Sequence, residues 1–277
     1  MAQYQRILIT GAAGRLGSEL RKGLTPLAGR IRLAAREPFD DLTPHEEQVV
    51  FDLADMEATV VASATRDCDA IVHFGGASLE GPWQTILDSN IRGSYHIYEG
   101  ARKHGTKRVV YASSVHAIGY HEVEAHIGVD APVRPDSLYG VSKNFVKSLS
   151  RLYWDKFGIE SACLRIFSSF PEPADRRMLW SYLSFADCVR LVEASLTAPR
   201  VGHTISFGIS DNRVKAVDNT RAGHLGFRPQ NSSEPFRASV EARTPVPDPA
   251  KPSVKYLGGW FCDFGHPDDG RNREDRL

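Results

Sequence analysis

Among the 277 residues, Tyr139 and Lys143 in Tyr139-Gly-Val-Ser-Lys143 have the types and spacing to do chemistry together. Four residues apart, they share one face of a helix. A phenol ionises near about pH 10 and is a poor base at neutrality. An ammonium a few ångströms away favours the phenolate, and a positively charged ring beside it pushes the same way. Such a tyrosine can take the proton of an alcohol while hydride leaves the same carbon for a nicotinamide. Upstream, Lys107-Arg-Val-Val-Tyr-Ala-Ser113-Ser114 reads as a strand with two serines at its C-terminal end. Ser114, or failing it Ser113, would hold the reacting oxygen for Tyr139, and Lys143 would also reach a cofactor ribose. By itself a Tyr-x-x-x-Lys pair is most often an exposed helix face. Its company makes it specific.

That company begins at Arg6-Ile-Leu-Ile-Thr10-Gly11-Ala-Ala13-Gly14-Arg15-Leu16-Gly17, a buried strand, a glycine turn and the first turn of a helix. Gly11 permits the turn, Gly14 lets a pyrophosphate approach the backbone, and Gly17 lets helix and strand pack closely. Leu16, Leu20 and Leu24 carry the helical period, and the helix N-terminus faces a phosphate. The second strand, Ile31 to Ala35, ends where a dinucleotide site commonly places an acid for the ribose hydroxyls. Ala35 and Arg36 stand there instead. An arginine at that point suits a 2′-phosphate, and a solvent-facing loop arginine is the alternative. Gln48 to Phe51 reads as a third strand, and Asp52-Leu53-Ala-Asp55 leads into a helix with Asp55 as N-cap. Asp52 is placed to accept from an adenine amino group.

Ala70 to His73, running on into Phe-Gly75-Gly76-Ala77-Ser78, is a fourth strand whose small residues suit a backbone passing close to a cofactor. A long helix from about Trp83 to His104 carries Asn90. The serine-ending strand is the fifth, a helix runs from Tyr139 to about Phe157, and Ile159 to Ile166 is the sixth strand. The prolines of Phe167 to Met178 exclude helix. Leu183 to Thr197 is helical, His203 to Phe207 a strand, and one further helix lies near Ser233 to Ala242. Alternating strands and helices predict an α/β fold, a Rossmann-type doubly wound parallel sheet with a small C-terminal substrate-binding portion. Residues 1–166 are expected to form the dinucleotide-binding core, 167–264 to complete the sheet and the substrate site, and 265–277 to be a disordered tail.

Lys plus Arg and Asp plus Glu both number 34, which argues against nucleic acid as a partner. No apolar run approaches the roughly 18 residues of a membrane span and no leader pattern is visible, so the expected location is the cytoplasm. Four scattered cysteines without a Cys-x-x-Cys pair are expected to be free. His121 and His126 lack a helical metal spacing, and no metal is expected.

Together, Thr10-Gly-Ala-Ala-Gly-Arg-Leu-Gly17, Asp52-Leu53, Gly75-Gly76-Ala77, Asn90, Ser113-Ser114 and Tyr139-Gly-Val-Ser-Lys143 resemble the extended short-chain dehydrogenases/reductases, the epimerase and dehydratase branch. Within it the uronate dehydrogenases are most similar. The likeness lies in Gly76-Ala-Ser78-Leu-Glu-Gly-Pro, Ser113-Ser-Val-His116-Ala-Ile-Gly-Tyr120, Pro171-Glu-Pro173, Arg177-Met178-Leu179, Asp218-Asn219 and His224-Leu-Gly-Phe227. This resemblance implies oxidation of the anomeric hydroxyl of a hexuronic acid, glucuronate or galacturonate, to an aldarolactone with NAD or NADP. Arg177 would meet the carboxylate, Ser78, Ser113, Ser114 and His116 the hydroxyls, and Phe261 the sugar face. The cofactor would be held by Gly11, Ala13, Gly14, Arg15, Leu16, Gly17, Arg36, Asp52, Leu53, Gly75, Gly76, Ala77, Asn90 and Lys143. The bland alternatives are a surface ion pair of Arg177 with Asp175 or Glu172 and a structural role for His116.

Three departures matter. Ala35 replaces an aspartate that selects NAD, which with Arg36 leans the cofactor towards NADP. Val115 replaces a substrate-facing asparagine, and Phe167-Ser168-Ser169 and Val214 to Val217 differ near the site. The resemblance also implies a homo-oligomer joined through the two long helices. A nucleotide-sugar epimerase or dehydratase, a reductase of another small carbonyl, and a non-catalytic dinucleotide-binding regulator are the competing readings.

Overall fold

A computed structural model describes residues 2–55 and 64–269. The helix expected after Asp55, and the tail from residue 270, lie outside the described residues.

Seven parallel strands form one sheet: β1 (Tyr4–Thr10), β2 (Ala28–Ala35), β3 (Glu46–Val50), β4 (Ala70–His73), β5 (Arg108–Ser114), β7 (Glu160–Ile166) and β10 (His203–Gly208). Their spatial order is β10-β7-β5-β4-β1-β2-β3. The chain starts in the middle, winds outwards to β3, then returns to wind the other way from β4, and the crevice at this reversal is where such sheets bind ligands. Helices α1 (Arg15–Gly23) and α6 (Phe185–Thr197) cover one face, α3 (Gly93–His104) and α4 (Leu138–Phe157) the other. Successive side chains of a strand point to opposite faces. Thus Ile7 and Ile9 pack with Leu20, Leu24 and Leu191, whereas Leu8 packs with Ile97, Tyr98, Val146 and Tyr153. Both faces are covered, which is why these strands read as continuous apolar runs.

Shorter elements lie at the C-terminal end of the sheet. Two small parallel pairs are β6 (Ile127–Gly128) with β11 (Val217–Asp218), and β8 (Ser168–Ser169) with β9 (Tyr182–Leu183). Three further short helices are α5 (Met178–Ser181), α7 (Arg237–Arg243) and α8 (Pro252–Lys255). The long helix expected from Trp83 to His104 is divided: α2 (Trp83–Ile86) passes through a wider π turn (Leu87–Arg92) into α3. The extra residue of a π turn shifts the face presented, and Asn90 within it turns inward to hydrogen-bond elsewhere.

The four cysteines are buried and unpaired. Among the described residues no helix is long and apolar enough to cross a membrane, and no cluster of three or more metal-ligating side chains occurs.

Candidate active site

A cleft of about 970 Å³ runs along the carboxyl ends of β2, β1, β4, β5 and β7, at the upper end of the range for ligand sites. Its first half is built from glycine. Gly11 has φ +69°, and a Cβ there would lie 2.7 Å from Gly75 N, while one at Gly17 would lie 2.1 Å from Gly11 O. Only hydrogen fits at either place, so β1, β4 and α1 converge to backbone contact. Helix α1 starts after Gly14 without a side-chain cap and with no acidic residue in its first turn. Its free amides and positive dipole end therefore face the cleft, as a pyrophosphate requires. The cradle fits a dinucleotide.

At the far end of this half, Ala35 and the exposed Arg36 form the rim. Arg36 makes no side-chain hydrogen bond or ion pair among the described residues. Arg15 lies 4.4 Å over the Phe170 ring, so the glycine turn touches the loop after β7. Asp52 Oδ1 accepts from Ala54 N at 2.9 Å, and Leu53 packs against Gly75, where a Cβ would meet it at 2.7 Å. Of the residues expected to hold the cofactor, Ala13, Gly14, Leu16, Gly76, Ala77 and Lys143 line the cleft as well.

Asn90 does not line it. Its Oδ1 accepts from Ala77 N at 2.7 Å, and its Nδ2 donates to Ala77 O and Ser142 Oγ, each at 3.1 Å. With these groups satisfied, Asn90 has nothing left for a cofactor and holds the Gly76-Ala77 loop from behind. Gly76, at φ +128°, leaves the space: a Cβ there would sit 2.6 Å from Asn90 Oδ1.

The other half gathers Ser78, Ser113, Ser114, His116, Tyr139, Lys143, Arg177 and Phe261 into one pocket. Helix α4 starts immediately before Tyr139. Ser137 caps it, accepting from Gly140 N at 3.0 Å, and the Glu80 carboxylate accepts from Leu138 N at 3.1 Å and Tyr139 N at 2.8 Å. Glu80 thus ties the loop bearing Ser78 to the start of the tyrosine helix. Lys143 lies one turn on, 5.2 Å from the Tyr139 ring centre, its Nζ donating to Ala112 O at 2.7 Å.

Burial dominates the ionisation of both groups. It pushes the Tyr139 phenol up to about 12, against an opposing hydrogen bond from Ser114, and pushes the Lys143 ammonium down to about 7. The expectation that Lys143 holds the tyrosine below its ordinary value is corrected here. Desolvation has the largest effect on the phenol, and a positive charge beside it, from Lys143 or an oxidised nicotinamide, would act against that rise.

Arg177 is partly buried and makes no surface ion pair among the described residues. Its Nη1 donates to Ser168 Oγ at 2.7 Å, its Nη2 to Leu257 O, and Nε is buried without a partner. Asp175, with Glu172 the alternative surface partner, accepts from Met178 N. Val115 is buried beside Ser114. His116 stacks on Phe261 with ring centres 3.7 Å apart, meets Tyr139 edge-on at 5.7 Å, and has Nδ1 2.7 Å from Asp136 Oδ2. The sequence singles out neither Glu80 nor Asp136: Glu80 stands inside the Gly76 to Pro82 segment of the resemblance without a role of its own, and Asp136 is an isolated loop acid with no periodic or motif signal.

Fold and site together define a dinucleotide-binding α/β protein of the short-chain dehydrogenase/reductase type, with Ser, Tyr and Lys at the end of the cofactor cleft. Residues 7–184 match the NAD dependent epimerase/dehydratase family, and the chain belongs to that family. Over 263 residues it is 48% identical to the uronate dehydrogenase of Pseudomonas putida, covering 95% of this chain and 97% of that one. The uronate dehydrogenase of Agrobacterium fabrum is 47% identical over 259 residues, 94% and 97% of the two chains. Among solved structures, glucuronic acid dehydrogenase from Chromohalobacter salexigens superposes with a TM-score of 0.93 at 45% identity, covering 96% and 99%. A tyrosine-to-alanine mutant of Agrobacterium tumefaciens uronate dehydrogenase, complexed with NAD, gives 0.90 at 46% identity, covering 94% and 98%.

Proposed function

We infer that the chain is a uronate dehydrogenase, oxidising the anomeric hydroxyl of a hexuronic acid such as glucuronate or galacturonate to the aldarolactone with a nicotinamide dinucleotide. One observation carries the choice of substrate. A partly buried guanidinium, Arg177, whose Nε is buried with no hydrogen-bond partner among the described residues, borders the pocket that holds Ser114, Tyr139 and Lys143. A buried cation short of a partner calls for an anion, and a planar fork of donors suits a carboxylate. Similarity to the named uronate dehydrogenases supports the same choice.

When bound, the oxidised nicotinamide supplies the acceptor for the hydride leaving the anomeric carbon. The protein does the rest. Arg177 and the Ser168 hydroxyl on its Nη1 fix the carboxylate end of the sugar. Ser114 holds the anomeric oxygen, and Tyr139, as phenolate, takes its proton. Lys143, one helical turn away, stabilises that phenolate and reaches the cofactor ribose. Ser78 and Ser113 meet ring hydroxyls, and Phe261 covers the sugar face and helps exclude water.

The cofactor assigned to this chain is NADP in preference to NAD. Ala35 at the end of β2 offers no carboxylate for ribose hydroxyls, and Arg36, without a side-chain partner among the described residues, lines the cleft there together with Arg15. We further propose a homo-oligomer joined through α3 and α4, where Tyr95, Val141, Phe145 and Leu152 expose apolar surface.

The test mixes purified protein with glucuronate or galacturonate and either dinucleotide, and follows the absorbance of the reduced nicotinamide. Reduction with a free uronate but not with its methyl glycoside, whose anomeric hydroxyl is blocked, supports the assignment. No reduction in any pairing, with dinucleotide binding still detectable, overturns it.

A further inference from the structure

The Asp136 carboxylate is buried completely, beside the sugar half of the cleft but outside its lining. Its Oδ2 lies 2.7 Å from His116 Nδ1, and its Oδ1 accepts from the Ser137 hydroxyl at 2.7 Å. Ser137 caps α4, so one carboxylate links the histidine ring to the start of the helix bearing Tyr139.

Two glycines from distant parts of the chain make room for it. A Cβ on Gly119 or on Gly258 would lie 1.9 Å from Asp136 Oδ2. The same glycines join their segments, Gly258 N donating to Gly119 O at 2.9 Å and Leu257 N to His121 O at 2.9 Å. On the other side of this strap, Gly259 adopts φ +64°, and a Cβ there would lie 2.3 Å from Arg177 Nε. The Gly258-Gly259 pair is thus a thin wall between Asp136 and Arg177, and it continues into Phe261, which stacks on His116.

The chemistry of the donors settles the tautomer. A carboxylate only accepts hydrogen bonds, and a neutral imidazole has one donor and one acceptor nitrogen. Facing Asp136, Nδ1 must carry the proton. One ring face stacks on Phe261, the Tyr139 ring lies at a steep angle to it 5.7 Å away, and Nε2 has no partner among the described residues, while His116 itself lines the cleft.

We propose that Asp136 is a positioning residue of the reaction, holding His116 as the Nδ1–H tautomer so that Nε2 accepts a hydrogen bond from a ring hydroxyl of the sugar. The assignment of that hydroxyl rests on the uronate reading above. The pocket then presents donors to the carboxylate at Arg177 and an acceptor to a hydroxyl at His116.

Imidazole nitrogen NMR of the unliganded protein tests the tautomer without any sugar, with the His116 signals assigned by their loss in His116→Gln. Wild-type protein should show the proton on Nδ1, and the nearly isosteric Asp136→Asn should move it to Nε2, as an amide can donate to Nδ1. In steady-state kinetics Asp136→Asn should raise the KM for uronate about 10- to 100-fold and leave the dinucleotide KM unchanged. The double variant should be no worse than His116→Gln alone, because Asp136 acts through the ring. An Nε2–H tautomer in the wild type, or additive losses in the double variant, overturns the proposal. An Nδ1–H tautomer in a wild-type protein that oxidises no uronate supports the Asp136–His116 assignment and refutes the uronate reading instead.

Discussion

Lys143 offers a prediction in which stability and function pull apart. Burial alone brings its ammonium from 10.5 down to about 7. Between those values the unfolded chain binds a proton that the folded chain does not, so stability rises with pH across that window. With the free-energy scale of about 1.4 kcal/mol per pH unit for one proton, the passage from pH 7 to pH 9 contributes about 2 kcal/mol. Lys143→Met keeps the length and apolar stem of the side chain and removes the titration. The ligand-free wild type should therefore be the less stable protein at pH 7, and the gap should narrow by about 2 kcal/mol, about 4–8 °C in melting temperature, by pH 9. Thermal unfolding of both proteins, stripped of dinucleotide and compared at each pH, measures this. Subtracting one from the other removes the titration of all other groups. A gap equal at pH 7 and pH 9 would refute the reasoning, because it would mean that Lys143 keeps its proton throughout. The variant should also be inactive, so the stability gained is lost to function.

Other consequences follow from the two arginines. Arg177→Lys keeps a charge but loses the fork, and should lower kcat/KM for uronate about 100-fold, the scale of one or two charge-assisted hydrogen bonds, with little change for the dinucleotide. The wild type should discriminate against the uronate methyl ester by a similar factor, and equal use of acid and ester would remove Arg177 from the role. Arg36→Ala should raise the KM for NADP by about 10-fold or more and leave that for NAD alone. Parallel changes in both would show that Arg36 meets no phosphate.

The fold was legible because both faces of the sheet are covered. Strand segments such as Ile7–Ile9 and Val109–Tyr111 carry unbroken apolar runs, and α1 and α4 show clear amphipathic spacing. The Gly11-Gly14-Gly17 cradle and the Tyr139–Lys143 pair were legible for a related reason: local geometry dictates their spacing. The site's non-local parts were not. Asn90 turned out to brace a loop because a π turn rotated it, and nothing in the residues from Trp83 to His104 signals that turn. Asp136, Gly119 and Gly258 meet across more than a hundred residues, so their fit exists only in the folded chain. The ionisation of Tyr139 also needed the structure, because spacing reports the nearby ammonium but not the degree of burial, which here has the larger effect.

The most direct test of the central claim uses glucuronate carrying deuterium on its anomeric carbon. With wild-type protein and NADP, the account predicts that the deuterium appears on the nicotinamide ring in step with formation of the lactone, and that Tyr139→Phe abolishes both. A sugar product that has changed configuration while keeping its anomeric deuterium would contradict it.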